Sequence, residues 1–180
     1  MSLYPGPVPV DDVHRWKTEA TQRLLGYTIA LTEEEWHSPS RLPGWTRAHV
    51  ATHLARNADY FREILSAAVA GQVPPLPPSA VQTRRDLERG ADRDGLSLQI
   101  DLDAAAGALQ SLIDAVEDWA IPVTLDGALL PLSALPLARL HEVNLHLIDL
   151  DCDFCADAIP AESAAWLLRW VLFRHRNSTL

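Results

Sequence analysis

Glu142 and His146 stand four residues apart in the segment Arg139-Leu140-His141-Glu142-Val143-Asn144-Leu145-His146-Leu147-Ile148-Asp149. On a helix that spacing puts both side chains on one face, with Cβ atoms about 5 to 6 Å apart, close enough to hold one cation together. Arg139 and Asp149 extend the polar line, about 100° round from the apolar stripe of Leu140, Val143 and Leu147. The pair therefore lies at the edge of a core, where a cleft can form. His53, beside Leu54 on an earlier helical stretch, has an equivalent edge position, and bundle helices pack about 8 to 10 Å apart. Two imidazoles and one carboxylate leave a coordination position open, the usual mark of a catalytic rather than a structural zinc site. Water or a thiol can fill it, and a cation there favours the thiolate at neutral pH. Spacing alone leaves alternatives. Glu-x-x-x-His is also a common surface pair, and His49-x-x-x-His53 is a second clamp, ranked lower because a histidine near a helix start more often satisfies the backbone. Trp45, Arg56, Asn57 and Arg139 are weaker candidates for contacts to a substrate.

These residues need helices to bring them together, and the apolar periodicity supplies them. Val13, Trp16, Ala20, Leu24 and Tyr27 predict a helix from Val10 to about Leu31. Thr32 with Glu35 has the pattern of a capping box opening a short turn. Thr46 caps a long second helix with Val50, Leu54, Phe61 and Leu65 on its inner face, stopped by Gly71 and the prolines that follow. The polar residues 79–93 read as a loop leading into a modest helix, and 101–119 as a third major helix. Val123-Thr124-Leu125 and Ala128-Leu129-Leu130 flank Asp126-Gly127, which suits a two-residue hairpin turn. Helical spacing resumes from Ser133 to Leu150 and again from Ala161 to Arg174. The fold class is all-α with one small hairpin. The expected organisation is a flexible lead at 1–9, a bundle at 10–155, and a C-terminal helix and tail at 156–180.

Composition narrows the partners. With 180 residues and 48% of them hydrophobic, the chain can bury one substantial core. Its formal charge of −9 repels phosphate backbones and anionic lipid, so neither nucleic acid nor membrane is expected as a partner. No apolar run approaches the roughly 20 residues needed to span a bilayer, and the start MSLYPGPVPVDD lacks the pattern of a signal peptide. A cytoplasmic protein is expected, with Cys152 and Cys155 as thiols. Their C-x-x-C spacing has no second pair and no preceding βαβ pattern. The acidic series from Asp149 fails as a calcium loop, because Phe154 stands where that turn needs Gly and Pro160 where it needs Glu.

The segment Leu42-Pro43-Gly44-Trp45-Thr46-Arg47-Ala48-His49-Val50-Ala51-Thr52-His53-Leu54-Ala55-Arg56-Asn57-Ala58-Asp59, together with residues 139 to 151, resembles the N-terminal domain of mycothiol-dependent maleylpyruvate isomerases. That family belongs to the DinB-like superfamily of metal-binding four-helix bundles. The resemblance covers roughly residues 10 to 155. It implies a DinB-like four-helix bundle with a β-hairpin before the last bundle helix, and a divalent metal held by His53, Glu142 and His146. Zinc suits this donor set, as nickel, iron and manganese also do. It further implies mycothiol or a similar thiol as cosubstrate and a small electrophile as its partner. In the isomerases the thiol adds to a cis double bond, rotation follows, and elimination gives the trans product; relatives transfer or conjugate the thiol instead. The isomerases usually carry a further C-terminal domain, whereas this sequence stops at Leu180 after one more helix. A smaller thiol transferase, or an isomerase that completes its pocket as a homodimer, is therefore expected alongside the isomerase itself. The alternative is a non-catalytic metal-binding bundle that serves as a binding or partner module.

Overall fold

The computed structural model describes residues 7–77, 79–125 and 127–177. Among them, seven α-helices and one hairpin follow in the order α1 (Val10–Thr28), α2 (Glu33–His37), α3 (Arg47–Val69), α4 (Ala80–Ala91), α5 (Gly95–Asp114), β1 (Pro122–Leu125), β2 (Ala128–Pro131), α6 (Ala134–Asp149) and α7 (Ala161–Asn177). A short 3-10 turn at Ala156–Ala158 precedes α7. No helix among the described residues is long and apolar enough to cross a membrane.

The four long helices α1, α3, α5 and α6 close into a ring, with α1 and α3 each packed on both α5 and α6. Leu24, Leu54, Leu102, Leu140 and Leu147 are fully enclosed between them, and burying each such side chain contributes about 1.5 to 3 kcal/mol. Capping fixes where the helices begin. Thr32 and Glu35 form the expected capping box at α2, and Thr46 caps α3 with His49 in the third position. Gly71 follows α3 at φ +64°, a left-handed angle that glycine adopts without strain.

Two stretches differ from their sequence reading. Residues 79–93 contain no leading loop, because the Ser79 side chain accepts from Gln82 N and starts α4 at once. Only Leu87 and Ala91 of that helix are buried, so an inward face was too sparse to read as periodicity. The third major helix begins at Gly95 rather than 101. Asp94 caps it, and Leu98 joins Trp36, Ala48, Ala51 and Ala91 in a small satellite core under α2.

The hairpin pairs Val123 with Leu130 and Leu125 with Ala128. Of the expected turn, Gly127 has φ +78°, while Asp126 lies outside the described residues, as do residues 1–6 of the lead and Pro78 of the proline cluster.

The end of the bundle that carries the candidate ligands is fastened by two arginines. Arg47, the first residue of α3, donates from Nε to Leu150 O (2.7 Å), from Nη2 to Asp151 O (2.8 Å) and from Nη1 to Glu35 O (3.0 Å). Arg41 N donates to Asp149 O (2.8 Å), and its Nε meets Asp151 Oδ1 at 2.9 Å. The start of α3 is thereby held to the end of α6.

Candidate metal centre

On α3, Val50, Leu54 and Phe61 turn into the core, which leaves His53 half-buried at the edge facing α6. On α6, Leu140, Val143 and Leu147 do the same for Glu142 and His146. Pro136 is tolerated in the first turn of α6, where no backbone donor is required. The result is the convergence that the spacing suggested. His53 Nε2 lies 3.4 Å from Glu142 Oε2, and His146 Nε2 lies 3.5 Å from the same oxygen. The two imidazoles meet edge to face with centroids 4.6 Å apart, and one donor atom from each of the three residues falls within 4.8 Å of the others.

The donors fit a cation. Tetrahedral zinc at about 2.0 to 2.1 Å from N and O ligands places those ligands roughly 3.3 to 3.5 Å apart, close to the two contacts made by Glu142. Orientation agrees as well. His146 Nδ1 lies 2.9 Å from Asp149 Oδ2, a partner for the Nδ1 proton that would leave the Nε2 lone pair to a bound cation. Burial alone would raise the Glu142 carboxyl. The imidazoles of His141, His146 and His53 outweigh it and hold the group well below the usual carboxylate range. Its second oxygen faces Arg174 Nη1 at 3.3 Å and His141 Nδ1 at 3.5 Å.

His49, the competing clamp, is occupied elsewhere. Its Nδ1 accepts from Thr46 N at 3.2 Å and lies 2.8 Å from Thr46 Oγ1, and its Nε2 lies 3.5 Å from Glu88. Trp45 packs its ring against His53 with centroids 5.8 Å apart and lines a groove between α3 and α4 rather than the cavity beside Glu142. Arg56 pairs with Asp59 and Asp101 at the rim of a cavity of about 390 Å³ that reaches His53. A smaller cavity of about 240 Å³ opens directly onto His53 and Glu142, with Asn57, Phe61, Leu125 and Arg174 in its walls. Arg139 lines neither cavity. It is 2% exposed, and its guanidinium donates to Leu54 O and to Asn57 Oδ1.

Three participants were given no role by the sequence: His141, which adjoins Glu142, Asp149 and Arg174. Asp149 was legible three residues after His146, a spacing that lets a carboxylate reach an imidazole on the same helix face. Arg174 gave no signal, because nothing in α7 indicates that this helix returns over α6.

A family model for the mycothiol maleylpyruvate isomerase N-terminal domain matches residues 18–151. Two crystal structures of the mycothiol-dependent maleylpyruvate isomerase, one of them a histidine-to-alanine variant, are similar to this chain with TM-scores of 0.83 and 0.82. Their sequence identities are 23% and 22%, and each superposition covers 92% of this chain and 69% of the other. At that identity the likeness shows the fold. None of the curated proteins compared with the chain matches it.

Proposed function

The chain belongs to the mycothiol maleylpyruvate isomerase N-terminal domain family, and from that premise we propose that it activates a small, mycothiol-like thiol at a divalent ion held by His53, Glu142 and His146. The thiol is then added to, or transferred onto, a small electrophile. The observation that carries this reading is the meeting of three donor atoms from α3 and α6 beside a cavity of about 240 Å³. When bound, the ion supplies the positive charge that keeps a thiol ionised at neutral pH. The protein's own residues do the rest. Asp149 holds the tautomer of His146 that leaves Nε2 to the ion, and Phe61, Leu125 and Ala138 exclude water from one side of the cavity.

Zinc is the ion that best suits two imidazoles and a carboxylate. The catalytic rather than the structural form is favoured by His49, because a closed site would recruit a fourth side chain and His49 is engaged with Thr46 and Glu88. Residues 10–155 then form the catalytic bundle, and the helix Ala161–Asn177 of the segment that follows brings Arg174 to its rim. We place the enzyme in the cytoplasm, where a reducing thiol pool keeps Cys152 and Cys155 free.

The test is elemental analysis of the pure protein combined with a thiol panel that includes mycothiol, assayed against maleylpyruvate and a generic electrophile. About one ion per chain and metal-dependent thiol consumption are expected. A protein that retains metal yet consumes no thiol with any electrophile would return the molecule to the class of non-catalytic binding modules.

A further inference from the structure

Besides His53, the two cavities share Tyr60 and Asn57, the latter one helical turn further along α3. A carboxamide can face either way, and here Arg139 decides. A guanidinium only donates, and its Nη1 donates to Leu54 O at 3.0 Å and to Asn57 Oδ1 at 2.7 Å. With the oxygen committed to the interior, Nδ2 is turned to the cavity side, and among the described residues no partner takes it.

Arg139 is itself costly to keep. It is enclosed in the core, makes no ion pair among the described residues, and leaves Nη2 without a hydrogen-bond partner. Burial pushes the group down to about 10, against the charges of Glu142 and Asp59. A position that needed only volume would be better filled by leucine or methionine. Among the described residues, the one side chain that its guanidinium bonds is Asn57.

Charge decides which cavity an acid would enter. The larger one carries Asp59, Glu63 and Asp86 against one arginine, Arg56. The smaller one has a single carboxylate, Glu142, faced by Arg174 at 3.3 Å, with the Arg139 cation beneath Asn57 and an apolar wall of Phe61, Leu125 and Ala138. We propose that Asn57 is the donor that selects the electrophile, offering Nδ2 to a carboxylate or carbonyl oxygen of a small organic acid in the smaller cavity, and that Arg139 is the positioning residue that holds it so. This rests on the reading of the site as a thiol-activating metal centre.

The experiment is calorimetric titration of the zinc-loaded protein with maleate, and with dimethyl maleate as the uncharged control. Wild type binds maleate more tightly than the ester. Asn57→Ala and Asn57→Asp, the latter keeping the bond to Arg139 while removing the donor, each weaken maleate by about ten- to a hundredfold. Zinc affinity of Asn57→Ala stays within about threefold of wild type on the same scale. Arg139→Met weakens maleate as much as Asn57→Ala does, and the double variant is no weaker than either, since one side chain acts through the other. Maleate binding that is absent in wild type, untouched in Asn57→Ala, or multiplicatively weakened in the double variant overturns the proposal. If Arg139→Met does not fold, the two Asn57 variants decide. A protein that takes up no zinc overturns both this and the proposed function; one that holds zinc and consumes thiol while Asn57→Ala binds maleate normally overturns only this.

Discussion

His53 is the ligand that α3 contributes to the proposed centre, so its removal separates the ion from that helix. His53→Ala is expected to lose retained metal and thiol turnover together while far-UV circular dichroism keeps its helical signal, because His53 lies at the edge of the core rather than within it. Lys17 offers a different test. Its ammonium is enclosed beside Gln110, and burial, followed by the charge of Arg139, pushes it down to about 8 from the ordinary 10.5. Between those values the unfolded chain holds a proton that the folded chain has released, so stability rises with pH across that window; below about 8 both are protonated and the penalty is constant. Lys17→Met is accordingly expected to stabilise the protein at pH 7 by about 1 to 3 kcal/mol. Thermal melts should show that advantage shrinking as the pH approaches 10. At this scale the sequence was legible where one helix sets the geometry, as for Glu142 and His146. It was silent where a partner helix redirects a side chain. Arg139 reads as an edge residue on α6, yet the carbonyl of Leu54 and the amide of Asn57, both from α3, draw it into the interior.

Among the elements, the long amphipathic helices and their caps could be read in advance because each carries a continuous apolar stripe and a stop signal. α4 could not, with two inward residues among twelve. Its contact with α3 is correspondingly close. A Cβ added at Gly90 would come 2.3 Å from the Thr52 methyl, immediately before His53. Gly90→Ala must push α4 outward, and a loss of about 1 to 3 kcal/mol is expected in denaturant melts. The larger cavity should widen at the same time, because Thr83, Asp86 and Leu87 of α4 form one of its walls. The course of α7 belongs to the same lesson. Its helical period was plain, whereas the packing that sets Arg174 against Glu142 depends on the loop from Asp151 to Pro160, where Asp151 and Asp153 take left-handed angles of 53° and 61°.

For the molecule as a whole, the core and the candidate centre are separable. The four-helix ring is filled by aliphatic and aromatic side chains, and the three donor residues lie at its margin. Zinc at a hundredfold excess over its dissociation constant should add about 2.7 kcal/mol and raise the melting temperature by about 5 to 10 °C. A chelator should reverse that shift and leave the helical spectrum at room temperature unchanged. Acid should strip the ion as well, since both imidazoles must be unprotonated to bind it.

The arginine fastening at the head of α3 bears on how fast an ion could arrive. Helices already cinched by Arg41 and Arg47 have little ordering left to do, so capture should be limited by how quickly the cation sheds its water. Stopped-flow mixing should then give a single fast phase whose speed follows the hydration kinetics of the metal chosen, and cutting the clasp with Arg47→Ala should introduce a slower, metal-independent step.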